Sequence, residues 1–106
     1  MSLEEFKSLL KTTGLPVAYY AFPEKNAPTL PFICYLVPFT NNFSADGKVY
    51  EKINCIQVEL YTKEKSPENE GKVEEALSHF YWGKTETYLE SEKCFKIIYE
   101  LEVENG

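Results

Sequence analysis

The sequence predicts a single α+β domain over residues 1–106, a small and mainly antiparallel β-sheet packed by two helices in the order α-β-β-β-α-β-β. Three observations carry that prediction. Apolar residues recur at helical spacing in two segments that open with capping residues, 2–12 and 66–80. They alternate with period two in 53–62 and 95–103, as in strands with one buried face. Aromatic residues make up 15% of the chain, with 8 Tyr and 7 Phe, side chains that favour sheets. A chain of 106 residues can also withdraw roughly two thirds of its unfolded surface from water, so no staple is required.

Each element follows from its residues. Ser2 can accept the amide of Glu5 while the Glu5 carboxylate returns the bond, a capping box, and Leu3, Phe6, Leu9 and Leu10 then line one side of a helix. Gly14, as the left-handed C′ residue, and Pro16, which cannot continue a helix, close it. Residues 17–22, VAYYAF, read as a strand, and PEKNAPTLP, with three Pro in nine residues, as a connection. FICYLVPF, residues 32–39, is apolar or aromatic everywhere but Pro38, which predicts a central strand covered on both faces with Pro38 near its end or on an edge. In INCIQVELYT, residues 53–62, Ile56, Val58 and Leu60 point to one face while Gln57, Glu59 and Tyr61 point to the other.

Ser66 is placed to cap the second helix, with Pro67 at its first position, Glu68 and Glu70 near its positive end, and Val73, Ala76, Leu77 and Phe80 as its apolar stripe. The remainder reads as a closing hairpin that turns near residues 90–93. Its second strand sets Phe95, Ile97, Tyr99, Leu101 and Val103 on the core face and Lys96, Glu100 and Glu102 on the other. At about 1.5–3 kcal/mol for each fully buried side chain, this strand is a main source of stability.

Composition narrows the function. Eleven Lys and Arg against 17 Asp and Glu give a formal charge of −6 and a pI near 4.8, which argues against a nucleic-acid grip or attraction to an anionic membrane. No segment approaches the roughly 18 consecutive apolar residues of a membrane span, and MSLEEFKSLLK is amphipathic and acidic, unlike a secretory signal; a soluble, cytosolic protein is expected. Cys34, Cys55 and Cys94 form no C-x-x-C pair and lie in apolar or alternating stretches, as reduced buried thiols do. The single histidine, His79, has no partner at a zinc-ligand spacing, and the pairs Glu4/Glu5 and Glu74/Glu75 are adjacent on helices and diverge. There is no glycine-rich phosphate loop. No catalytic residue, metal or cofactor is expected, and the chain does not read as an enzyme.

Between two strands lies TNNFSADGKVYEK, residues 40–52. NFS matches the N-glycosylation pattern, but a cytosolic chain never meets that machinery. Asp46-Gly47 lacks the further acidic positions of a calcium loop and reads as a turn in which Gly47 takes positive φ. Phe43 is costly to expose in so polar a stretch unless another surface covers it. Residues 40–52 are therefore read as a hairpin-like arm, with Asn41, Asn42, Phe43, Asp46, Lys48 and Tyr50 as contacts to another subunit or partner. Trp82, in the aromatic run FYWG, is a further interface candidate.

LPFICYLVPFTNNFSADGKVYEKINCIQVELYTKEKSPENEGKVEEAL and KTETYLESEKCFKIIYELEV resemble the small phage and prophage proteins of Gram-positive bacteria encoded among the head-to-tail joining genes. These are tail terminator, or tail-completion, proteins of long-tailed phages. The resemblance spans roughly residues 15–103, and its marks are PF-x-x-Y, NNF-x-A-D, VELYTKEK and E-x-Y-x-E-S-E. It implies an α+β subunit that assembles, typically as a hexameric ring, on the head-proximal end of the tail tube. The ring stops tube polymerisation and presents the head-joining surface, with the tail tube protein and a head-completion protein as partners. DNA would pass through without specific binding, and Glu86, Glu90, Glu100 and Glu102 are candidates to face that channel. Such a protein belongs in the host cytoplasm during assembly and then in the virion. A second reading from the residues alone is a small acidic cytosolic adaptor or inhibitor that binds a basic protein partner.

Overall fold

In the computed structural model, which describes residues 1–45 and 48–104 and the side chains of all of these except 26, 41–45 and 48–52, helix α1 spans Leu3–Lys11. The Ser2 hydroxyl accepts from the Glu5 amide at 3.1 Å and the Glu5 carboxylate accepts from the Ser2 amide at 3.0 Å, the expected capping box. Phe6 and Leu10 of α1 are fully buried. The Thr12 and Thr13 hydroxyls donate to the carbonyls of Leu9 and Leu10 at 2.6 and 2.8 Å and close the last turn. Gly14, with φ +83°, makes the expected left-handed step, but one residue beyond C′, which is Thr13 because Thr12 is the C-cap.

The strands are β1 (Val17–Tyr19), β2 (Phe32–Ala45), β3 (Lys48–Thr62), β4 (Trp82–Leu89) and β5 (Cys94–Glu104), and α2 (Pro67–Ala76) separates β3 from β4. They form one sheet in the order β1-β2-β3-β5-β4, parallel at β1–β2 and antiparallel elsewhere, which is the α+β architecture expected from the sequence. β1 is shorter than expected because Tyr20, at φ 69°, sits in a positive-φ γ-turn in which the Ala21 amide donates to the Tyr19 carbonyl at 2.8 Å. The connection that follows contains one 3₁₀ turn, Glu24–Asn26, and brings Phe22 edge-on to Phe32 at 5.1 Å between ring centroids.

β2 departs most from expectation. It continues through Pro38 to Ala45, and the obstacle that Pro38 poses is absorbed by a bulge. Leu36 pairs with Gln57 and Phe39 with Cys55, so Val37 and Pro38 together stand opposite Ile56. β1 pairs no further along β2 than Tyr35, leaving Val37 an amide that the ladder does not use; the Tyr19 hydroxyl accepts it at 3.3 Å, and Pro38 has no amide to satisfy. Nor is β2 covered on both faces along its whole length, since Phe39 is 58% exposed.

Beyond the bulge, β2 pairs only with β3, and β5 pairs with β3 no further than Ile53. Residues 42–45 and 48–52 thus continue as a two-stranded ribbon about 15 Å past the sheet. A ribbon whose backbone groups pair with each other needs no apolar pattern, which is why residues 40–45 and 48–52 are strand despite their polarity. The ribbon accounts for the 50 Å long axis and for a radius of gyration of 14.9 Å; a compact chain of this length would have roughly 13 Å. The turn expected at Asp46-Gly47 lies outside the described residues.

Both helices pack on one face of the sheet. There Ile33 and Tyr35 of β2, Ile56, Val58 and Leu60 of β3, and Ile97, Tyr99, Leu101 and Val103 of β5 meet Phe6, Leu10, Val73 and Leu77. α2 ends at Ala76, so Phe80 lies in the turn that follows yet still packs edge-on against Phe6 at 6.0 Å. The Ser66 hydroxyl accepts from the Asn69 amide at 3.3 Å, and Pro67 occupies the first turn.

One buried charge ties α2 to the sheet edge. Glu70, 3% exposed, faces Lys84 of β4 at 2.7 Å and Lys65 of the β3–α2 connection, whose ammonium straddles the carboxylate at 2.9 and 2.8 Å. The second oxygen thereby gains an off-axis ionic contact rather than a well-directed hydrogen bond. Lys84 also reaches Glu74 at 2.7 Å, and Glu74 accepts from the Tyr99 hydroxyl at 2.8 Å. Burial would push the Glu70 carboxyl up, but the bonds from Lys65 and Lys84 outweigh it and hold its pKa below the ordinary 4.5. A carboxyl with a depressed folded-state pKa stabilises the fold above its unfolded value and loses that contribution as pH falls through the folded one. Glu70→Gln is therefore expected to lower stability by about 1–3 kcal/mol at neutral pH, by denaturant melts, and to narrow its gap to the wild type below about pH 4.5. A gap that stays constant with pH would show that the charge contributes nothing.

Candidate functional site

With both helices on one face, the opposite face of the sheet is covered only in part. At the β1 end the chain closes over it. Phe22 lies on Phe32, and Phe32 packs against Tyr61 at 5.2 Å. Glu59, 6% exposed, is fully matched there: it accepts from Gln57 Nε2 at 2.7 Å and from the Tyr61 hydroxyl at 2.9 Å, and Lys96 pairs with it at 3.0 Å. Burial, together with the Glu59 bond, pushes the Tyr61 hydroxyl well above its usual range. This cluster of ionisable groups is packed, and each of its polar groups has a partner.

Toward the root of the ribbon the same face opens into a groove of about 730 Å³. Its floor includes Gln57 of β3 and Glu100 and Glu102 of β5. Pro38 and Phe39 form one wall and Tyr81, just before β4, the other. From β2 to β4 is three strand spacings, about 14 Å. Tyr81 is 100% exposed, and among the described residues Glu100 and Glu102 make no ion pair. The register explains the composition of the groove. Glu102 lies opposite Cys55 and Glu100 opposite Gln57, so both carboxylates share the face of Phe39.

The residues singled out in the sequence do not fall on one surface. Asn41, Asn42 and Phe43 lie on the β2 side of the ribbon, paired with Ile53, Lys52 and Glu51. Lys48 pairs with Ala45, and Tyr50 occupies a second register shift between the Phe43 and Ser44 pairs. Asp46 lies outside the described residues. Trp82 is partly buried on the helix face, edge-on to Tyr99 at 5.3 Å. Glu86 is on that face too, paired with Lys65, and Glu90 is exposed in the β4–β5 turn. Of the four acidic residues, only Glu100 and Glu102 are brought together. Phe39 and Tyr81 went unflagged: the apolar run ending in Phe39 suggested burial, and FYWG gave no sign of which aromatic would be outside.

Among the described residues no three His, Cys, Asp or Glu side chains converge as metal ligands, and no helix is long and apolar enough to cross a membrane. His79 is exposed in the turn after α2. The three cysteines are buried thiols. Burial, with the Glu59 charge, pushes Cys34 up to about 11; burial also raises Cys55 and Cys94, aided by Glu102 and Glu92. None of the three is expected to react with an aromatic disulfide reagent at pH 8 in the native protein, and all three should react in denaturant. Rapid native-state labelling would identify a reactive thiol and contradict this reading.

No protein-family model and no curated protein matches the sequence. Among solved structures, the fold is similar to a chain in the virion of a native gene transfer agent (GTA) particle, with a TM-score of 0.63 at 12% identity, over 97% of this chain and 92% of that one. At that identity the likeness is one of fold.

Proposed function

We propose that the protein is a structural component of a phage-like virion, and within it a tail terminator that caps the head-proximal end of the tail tube. The observation that supports this most is the fold shared, over nearly the whole chain, with a protein of a gene transfer agent virion. The resemblance of PF-x-x-Y, NNF-x-A-D and E-x-Y-x-E-S-E to tail-completion proteins points the same way.

In this reading the subunits form a ring, hexameric in the family the sequence resembles, through heterologous contacts in which one surface meets a different surface of the neighbour. The chain supplies suitable surfaces. The ribbon is a two-stranded element, marginal alone in water, and β4 and the stretch of β2 beyond Tyr35 have unpaired outer edges among the described residues. A ring seated on the growing end of the tube blocks addition of further tube subunits and offers its other side to a head-completion protein. DNA in the channel would meet subunits of formal charge −6. Because Glu86 and Glu90 lie on different surfaces from Glu100 and Glu102, at most one of these pairs lines that channel.

Light scattering after gel filtration, with electron microscopy, tests the reading. Rings are expected, either in free solution or on the ends of purified tail tubes. The double variant Asn42→Ala, Phe43→Ala should remain folded but form fewer rings and join fewer heads. A chain that stays monomeric both alone and with tubes would overturn it.

A further inference from the structure

The groove also has a chemistry of its own, independent of any ring. Among the described residues elsewhere on this chain, four carboxylates of the sheet and α2 are answered by lysines. Lys96 meets Glu59, Lys65 and Lys84 meet Glu70, Lys84 meets Glu74, and Lys65 meets Glu86. Twice the same lysine also lies over an aromatic ring: Lys84 is 5.7 Å from the Tyr99 centroid and Lys96 is 5.8 Å from that of Tyr61. Among the described residues the groove repeats the ring and the carboxylates without the cation. Glu100 and Glu102 are two residues apart on one face of β5, about 7 Å from each other, so their like charges repel. Phe39 and Tyr81 flank them, exposed.

We propose that this groove docks an extended, basic segment of another protein, placing an Arg or Lys side chain between the aromatic walls and against Glu100 and Glu102. The occupant follows from charge and size. A cation relieves the repulsion of the two carboxylates and can lie against an exposed ring beside them, whereas nucleic acid would add to the repulsion. A width of about 14 Å admits one extended chain with its side chains.

The test is calorimetric titration of the full-length protein with a decapeptide alternating Arg and Thr, and with its citrulline counterpart, which keeps the shape and loses the charge. The Arg peptide is expected to bind and the citrulline peptide not. Tyr81→Ser, which removes a fully exposed ring and no charge, should weaken binding about tenfold. Glu100→Gln with Glu102→Gln should weaken it further. Glu68→Gln with Glu75→Gln, the same loss of charge on the exposed side of α2, should change it less than about twofold.

Three outcomes would overturn the proposal. One is no binding at about 1 mM peptide. Another is equal weakening by the α2 pair, which would mean diffuse attraction to an acidic protein. The third is a Tyr81→Ser variant that loses self-association but binds the peptide unchanged, which would assign the groove to a second copy of this chain.

Discussion

Ten consecutive antiparallel pairs between β3 and β5, from Ile53–Glu104 to Thr62–Phe95, settle the face of each side chain in 53–62 and 95–104. Because strand side chains alternate, a slip of β5 by one residue along β3 would send Ile97, Tyr99 and Leu101 to the outer face and bring Glu100 and Glu102 into the core. That penalty locks the register. The helices then have only one apolar face to cover, and β2 and β4 attach to an alignment already fixed. The groove is the other side of the same alignment, since every core residue of β5 has an acidic or amphipathic neighbour facing away.

The features most legible in the sequence were those governed by local rules. The Ser2–Glu5 capping box, Ser66-Pro67 at the start of α2, the turn at 90–93 and the alternation of β3 and β5 each depend on residues within a few positions of one another. The misjudged features depended on long-range context. The hairpin-like arm expected at 40–52 is the ribbon, but its residues 40–45 and 48–52 extend β2 and β3 because they pair with each other, and Pro38, on the β2 edge that β1 leaves open, sits inside the strand because a bulge and the Tyr19 hydroxyl accommodate it. Tyr20 ends β1 early through a positive φ that its residue type does not announce.

The site was less legible than the fold for a related reason. Exposure of Phe39 follows from where β1 stops covering β2, and exposure of Tyr81 from where α2 ends, and neither boundary is written in the residues themselves. Glu100 and Glu102 were recognisable as outward-facing from alternation alone. Glu86 carries the same charge, but β4 stands it opposite Ile97 on the helix side, where it pairs with Lys65, 21 positions away in the chain. A cluster of like residues in a sequence is thus a poor guide to a cluster in space when a hairpin turn divides it.

Together, the paired ribbon, the half-covered sheet face and the strand edges left open among the described residues are the surfaces through which the proposed virion subunit would meet other chains. Hydroxyl-radical footprinting of Tyr81 and Phe39, in the free chain and in purified particles that contain it, tests this most directly. Both side chains should be labelled readily in the free chain, where they are exposed, and strongly protected in the particle. Equal labelling in the two states would show that the uncovered face meets nothing, and would contradict the account.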